Sequence, residues 1–536
     1  MTENTYTAIS FAPVQGFIEK SRKLRDLFGA SLILSYLSQK IAEEIHHSLK
    51  LEVISPALIT VQEGMPNRIL VKGFVDRDRV KNILLKHWQY LLKVCREWVE
   101  KNVPAEYHWS QKSEDVGNQK GEWERWGSYA WEVFWGTGNT PQAAMEDLET
   151  RKLRRDWTGI NWIGESSSLS GTDAIAWNRL GDSDLLSRDL KGNLTAKERQ
   201  ALKQELEDFY LRLSQALEEK SPDDHQPQGK FLRPNERMSI PELVKRLVTR
   251  YEDIGKQLGE DFKIDSFSEM VRLPEPGQPG HWTGWFMGDG DEVGKHLKGL
   301  KSDTELEQFS HAMRDWGKDF KKNFPRKLGR VVYAGGDDFM GVIYSEKPQD
   351  PIPASTAIDW LSKLSLKWET HKQPINLSVG FVWAGHQVPQ RDILQHCREA
   401  EKRSKNLERD RLTIRVVFNS GQYVQWTCPW AHLKILDRYQ DRVGGKNWAH
   451  LYNDWAHLKS RHAIRLREVD QKNYRIDQDL ALAMLDLYFD GLGQEIQEAT
   501  VKKNQWKAIA GDNSAVAVVQ WINDLVQVGW QLCSNT

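Results

Sequence analysis

Apolar positions along the chain change their period several times, and each change marks an element. Tyr6 to Phe11 reads as a strand, and the apolar positions from Val14 to Leu49 recur at helical spacing with a break expected near Gly29. Strand patterns return around Pro56 and from Asn67 to Val71. A helix follows from Arg77 to Val99, with Val80, Ile83, Leu84 and Trp88 on one face. Beyond residue 105 the pattern loosens. The region holds Gly/Ser-rich and charged stretches such as GESSSLSGTD at 164–173 and one clear helix at Ala196 to Leu217, and SPDDHQPQG at 221–229 reads as a loop. Pro274, Pro276 and Pro279 mark a linker.

From Trp282 the order becomes regular. A strand is followed by a helix at 303–322 and by strands at 329–334 and 339–345. A helix at 354–369, a strand at 375–383, a helix at 391–406 and a strand at 411–418 complete it. This alternation is that of a ferredoxin-like palm. The tail from 421 to 536 reads as mainly helical, with amphipathic stretches such as DLALAMLDLYF at 479–489. The expected fold is therefore multidomain α+β. It has an N-terminal palm-like domain (1–135), a mainly helical or irregular insert (136–275), a second palm (276–420) and a helical C-terminal domain (421–536).

Chemistry concentrates at two turns of the second palm. Residues 331–345 read VVYAGGDDFMGVIYS, two apolar runs flanking Gly335, Gly336, Asp337 and Asp338. A Gly-Gly step between such runs favours a tight hairpin, because both residues tolerate positive φ. The two carboxylates then sit together at the tip and repel each other unless a cation neutralises them. Upstream, the apolar run WTGWFM ends in Gly288, Asp289, Gly290 and Asp291. A two-metal phosphoryl-transfer site draws its carboxylates from separate strands, and Asp289 with Asp337 fits that requirement. Mg²⁺ or Mn²⁺ with a bound phosphate is the expected occupant. Asp291 is open between a ligand and a turn-capping acid, and Lys295 is a further candidate for phosphate contact.

Bulk composition adds limits. With 74 Lys and Arg against 75 Asp and Glu there is no global basic field, so contact with nucleic acid would need local patches. No apolar run approaches the ~20 residues of a membrane span, and the start, MTENTYTAIS, lacks signal-peptide form. A cytoplasmic protein is the expectation. Cys95, Cys397, Cys428 and Cys533 are widely spaced, and residues 136–270 contain no cysteine. No structural zinc is expected. The 23 tryptophans read mainly as core or interface residues.

Three stretches together resemble the large palm-domain subunit of type III CRISPR effector complexes, in particular the type III-B (Cmr) form. They are FAPVQGFIEKSRKLRDLFGASLILSYL at 11–37, DGDEVGK at 289–295 and AGGDDFMGV at 334–342. LSVGFVWA at 377–384 and REAEKRSKN at 398–406 add the end of a nucleotide-cyclase palm. The resemblance implies a synthase that converts ATP to cyclic oligoadenylates when the assembled complex binds target RNA. It implies partners in the other complex subunits, and guide and target RNA reached through them. Asp289, Asp337 and Asp338 would be the catalytic and metal-binding acids, assisted by Gly290, with Gly335 and Gly336 forming the turn. Lys405 matches a lysine that pairs with the triphosphate, its alternative being a solvated lysine on a basic helix. Arg22, Lys23, Arg25 and Asp26 carry the N-terminal part of the resemblance, either as a solvated helix face or beside an acceptor nucleotide near Ser31 or Ser35. No His-Asp dipeptide occurs, so HD nuclease activity is not expected. A catalytically silent architectural subunit and a stand-alone diguanylate-cyclase-like enzyme are the competing functions.

Overall fold

The computed structural model describes residues 5–57, 61, 64–109, 121–154, 165–181, 194–218, 231–263, 270–272, 277, 279–300, 302–347, 350–442, 444–465, 471–501, 506–512 and 515–534. The expected loop at 221–229 and the linker prolines Pro274 and Pro276 lie outside these residues. The chain divides into two compact units, Met1–Glu269 with Lys301–Arg314, and Met270–Leu300 with Asp315–Thr536. Among the described residues no helix is long and apolar enough to cross a membrane.

The first unit is built on a four-stranded antiparallel sheet in the order β2-β3-β1-β4, formed by Tyr6–Ala12 (β1), Glu52–Ser55 (β2), Arg68–Lys72 (β3) and Glu132–Gly138 (β4). The helices Leu24–Ser48 and Arg77–Asn102 connect β1 to β2 and β3 to β4, which is the ferredoxin-like order. Asp76 caps the second helix, accepting from the Asp78 and Arg79 amides at 2.9 and 3.3 Å. β4 runs to Gly138, past the boundary expected at 135. Gly136 and Gly138 explain its close cover by the helix Pro141–Lys152: a Cβ at Gly136 would lie 2.2 Å from the Leu148 amide.

The first long helical pattern breaks elsewhere than expected. It divides into Val14–Glu19 and Leu24–Ser48, with the break at 20–23, and Gly29 lies inside the second helix. A Cβ there would meet the Lys245 carbonyl at 1.8 Å. That glycine serves close packing against the helix Ile240–Leu247 rather than a turn.

The second unit contains a six-stranded sheet in the order β10-β9-β8-β5-β7-β6. Its strands are Thr283–Gly290 (β5), Gly329–Ala334 (β6), Asp338–Ile343 (β7), Leu377–Ala384 (β8), Arg411–Val417 (β9) and Tyr423–Pro429 (β10). β10 is a strand at the start of the tail that was expected to be mainly helical. It adds an edge strand to the palm sheet, pairing with β9 from Tyr423↔Val417 to Pro429↔Arg411. The helices Ala449–Ser460, Gln471–Phe489, Leu492–Val501 and Ala515–Cys533 follow it. Trp521 on the last of these donates to the Thr427 carbonyl at 2.9 Å, which docks that helix on the sheet edge.

Strand register sorts the two faces of this sheet. Phe286 pairs with Gly341 and Gly288 with Phe339, so aromatic and glycine alternate on one face. Each ring fills the space its partner glycine leaves, since a Cβ at Gly288 or Gly341 would come within 2.2 Å of the opposite ring. Phe286, Phe339, Trp316, Phe320, Trp360 and Trp368 interlock there at centroid distances of 4.6 to 6.4 Å. Met287, Asp289, Asp338, Met340 and Gly380 share the other face. Over Gly380 lies the helix Gln390–Asn406, where a Cβ would be 2.3 Å from the Cys397 carbonyl and 2.4 Å from the Glu401 amide.

Candidate active site

The acids far apart in the sequence meet through strand pairing. Asp289, one residue before the end of β5, is the register partner of Asp338, the first residue of β7. Directly opposed residues on antiparallel strands point to the same face. Asp337 precedes Asp338 in the turn, and its carbonyl accepts from the Gly290 amide at 2.8 Å. Gly290 has no room for a side chain: a Cβ would lie 3.0 Å from Val293, 3.1 Å from Trp368 and 3.3 Å from the Asp337 Cβ. The turn between β6 and β7 is Gly335, Gly336 and Asp337. It closes with the Gly335 amide donating to the Asp338 carbonyl at 3.0 Å, and Gly336 takes φ +139°. That φ is the region glycine favours, which accounts for the second glycine of the motif.

The helix over Gly380 brings Lys405 to this face. Its ammonium pairs with Asp289 Oδ2 and, at 2.6 Å, with Glu401 Oε1 one turn earlier. Burial alone would lower the Lys405 pKa; the charges and hydrogen bonds of Asp289 and Glu401 outweigh it and hold it above its ordinary value. Asp338 responds in the opposite sense to its surroundings. Burial, then the charges of Asp337 and Asp289, push its carboxyl up to about 8, with only a partial offset from Lys405. Burial with neighbouring like charges, offset only in part by Lys405, marks a site short of positive charge.

This donor set fits a divalent cation. Among the described residues no three His, Cys, Asp or Glu side chains form a ready-made metal cage. Mg²⁺ characteristically takes one or two carboxylates and completes its shell with water and phosphate oxygens. Asp289 and Asp338 in register supply two, with Asp337 beside them.

The remaining candidates separate. Asp291 is buried and accepts from Ser378 Oγ at 2.7 Å and from the Asp410 amide at 2.9 Å. It ties the end of β5 to β8 and to the turn before β9, a structural acid. Lys295 is exposed on the short helix Val293–Gly299 and pairs with Glu292 at 3.4 Å.

Residues 283–413 match the second palm domain of Cas10/Cmr2, and residues 6–78 match the N-terminal region of the CRISPR-associated protein Cmr2. These two stretches identify a Cas10/Cmr2 palm domain and a Cmr2-type N-terminal region within the chain. No curated protein matches it by sequence. Among solved structures it is similar to the type III-B Cmr-beta complex in the apo state, seen by cryo-EM (TM-score 0.52, 11% identity, 98% of this chain and 82% of that chain). It is also similar to the Csm1–Csm4 cassette in complex with one ATP (TM-score 0.48, 13% identity, 99% and 70%). A third similar structure is the Csm1–Csm4 subcomplex of the type III-A Csm interference complex (TM-score 0.44, 14% identity, 97% and 70%).

Within the Cas10/Cmr2 palm, Glu401 was not singled out from sequence, although its i,i+4 spacing to Lys405 is the signal that finds it. In the Cmr2-type N-terminal region the charged signature is divided: Arg22 is exposed and Lys23 partly buried, whereas Arg25 and Asp26 are buried. Asp26 is buried, accepts from the Arg22 and Lys23 amides at 3.1 and 3.0 Å, and pairs with both sides of the Arg246 guanidinium at 2.9 and 3.0 Å. Burial pushes the Asp26 carboxyl up, but Arg246 prevails and holds it below the ordinary carboxylate range. Arg22 donates to the Leu169 carbonyl at 3.1 Å and Lys23 pairs with Glu236 at 3.1 Å. The hydroxyl of Ser35 accepts from the Met65 amide at 2.9 Å. These residues fasten the long helix to the segments around 169 and 231–250.

Proposed function

We propose that this Cas10/Cmr2 palm is a pyrophosphate-releasing adenylyl transferase that makes cyclic oligoadenylates from ATP within a type III CRISPR effector complex, switched on by target RNA. The observation that carries the proposal is the opposition of Asp289 and Asp338 across β5 and β7, with Asp337 adjacent and Lys405 over them. Asp289, Asp338 and Asp337, helped by the Gly290 carbonyl, are the groups that would hold Mg²⁺ or Mn²⁺. A divalent ion there supplies charge neutralisation for in-line attack of a 3′-oxygen on an α-phosphate.

The chain's own residues prepare that step. Burial and the neighbouring charges of Asp337 and Asp289 disfavour a bare carboxylate at Asp338, so a cation held there would relieve the repulsion that a triphosphate meets on entry. Lys405 neutralises Asp289 before substrate arrives and turns toward phosphate once the acid is otherwise engaged. Glu401, on the same helix face, keeps the ammonium aimed at the sheet during that exchange. The fixed register of β5 and β7 holds the acids without induced rearrangement, which is the preorganisation that phosphoryl transfer rewards.

Incubating the purified complex with ATP, Mg²⁺ and matching target RNA tests this reading. Oligoadenylate rings are expected from the wild type. Asp337→Ala combined with Asp338→Ala is expected to abolish them while assembly persists. No product from wild type, with assembly intact, leaves the architectural function; product from GTP instead of ATP indicates a cyclase of the diguanylate kind.

A further inference from the structure

β6 carries an irregularity beside the acids. Val331 pairs with Gly341, but the next paired residue is Tyr333, which faces Met340; Val332 is the extra residue of a β-bulge. In an unbroken ladder Tyr333 would oppose Phe339 and point into the aromatic face. The bulge moves it to the other face, that of Met340, Asp338 and Asp289. Bulges beside active sites commonly re-aim one side chain in this way.

Tyr333 is then the diagonal cross-strand neighbour of Asp338, a relation that spans about 7–8 Å between backbones and lies within reach of an aromatic side chain. Its phenol feels the charges of Asp338, Asp289, Glu401 and Arg398, which places it among the groups of the candidate site. Among the described residues its hydroxyl forms no side-chain hydrogen bond. Burial, with those acids, raises its pKa well above the ordinary phenol value, so the oxygen keeps its proton. Tyr333 is intermediate in burial rather than fully enclosed.

We infer that Tyr333 is a substrate-binding residue whose phenol O–H donates a hydrogen bond to a phosphate oxygen of the nucleotide held beside Asp289 and Asp338. The inference rests on the proposed nucleotide site and extends it with a residue outside the acid motif. A neutral donor suits the place. Three carboxylates already crowd this face, and a hydroxyl approaches a phosphate oxygen without adding charge or competing for the cation. The bulge gives the structural reason for a tyrosine here: without the extra Val332, the same ring would be one more member of the aromatic core.

The test is equilibrium binding of a non-hydrolysable ATP analogue, with Mg²⁺, to the purified complex carrying wild-type chain or Tyr333→Phe. The variant keeps the ring and removes only the hydroxyl. Affinity is expected to fall on the order of tenfold, as for loss of one hydrogen bond to a charged acceptor, with an unchanged melting temperature. Equal affinity of the two proteins overturns the inference. Failure of the wild type itself to bind the analogue sinks the nucleotide-site reading instead, which keeps the two outcomes apart.

Discussion

Gly380→Ala tests how closely the helix bearing Lys405 must sit on the palm sheet. Gly380 lies in β8, opposite Met287 of β5 and Thr413 of β9. An added Cβ would lie 2.3 Å from the Cys397 carbonyl oxygen and 2.4 Å from the Glu401 amide nitrogen. Ordinary van der Waals contact begins near 3.4 Å, so the helix backbone must rise by about 1 Å. Both obstructing atoms are main chain, and no rotamer change relieves them. Overpacking of this kind costs about 1–3 kcal/mol. The larger effect falls on the site, because a shift of about 1 Å in a positioning group costs on the order of 100-fold in rate. Glu401 and Lys405 ride on the displaced helix. Oligoadenylate synthesis by the assembled complex, followed by separation of products, and thermal melting of the same preparation are the two assays. A strong loss of synthesis with only a modest fall in melting temperature is expected. Gly294→Ala is the internal control, because a Cβ there meets nothing within 4 Å, and alanine suits a helix better than glycine. Wild-type synthesis and melting by Gly380→Ala would refute the claim that this contact sets the position of Lys405.

Two further outcomes follow from buried charge. Asp26→Ala leaves the fully buried Arg246 guanidinium without its principal partner and should destabilise the first unit by about 3–5 kcal/mol, read as a lowered melting transition. Asp524, on the helix Ala515–Cys533, is pushed up to about 6 by burial, against hydrogen bonds from Gln520 and Asn523 and the charges of Arg403 and Lys459. A carboxyl raised in the folded state adds stability below about pH 4, and that stability is lost as pH rises through about 6, a loss of about 3 kcal/mol. Asp524→Asn should therefore raise the melting temperature at pH 7.5 relative to wild type and leave it nearly unchanged at pH 3.5; the same shift at both pH values would contradict the assignment.

The local elements of this chain were legible because their signals are local. Alternation and helical period located β1, β3 and the helix from Arg77, and the Gly-Gly-Asp-Asp turn announced the junction of β6 and β7. The strand at 423–429 escaped because a short edge strand carries little pattern of its own and is defined by pairing with β9. Gly29 was misplaced as a break because sequence shows a missing side chain but not the neighbouring helix that needs the space.

Sequence by itself determined which residues carry charge and where the chain turns: Asp289 at one strand end, Asp337 and Asp338 at a hairpin, Lys405 on a helix. Tertiary structure alone decided which of them meet. The register of β5 on β7 set Asp338 opposite Asp289, Ser378 and the Asp410 amide claimed Asp291, and close seating over Gly380 delivered Lys405. A single extra residue, Val332, turned Tyr333 from core to site. Side chains alternate faces at every step along a strand, so one bulge or one register choice reverses what a residue touches, and that choice belongs to long-range packing.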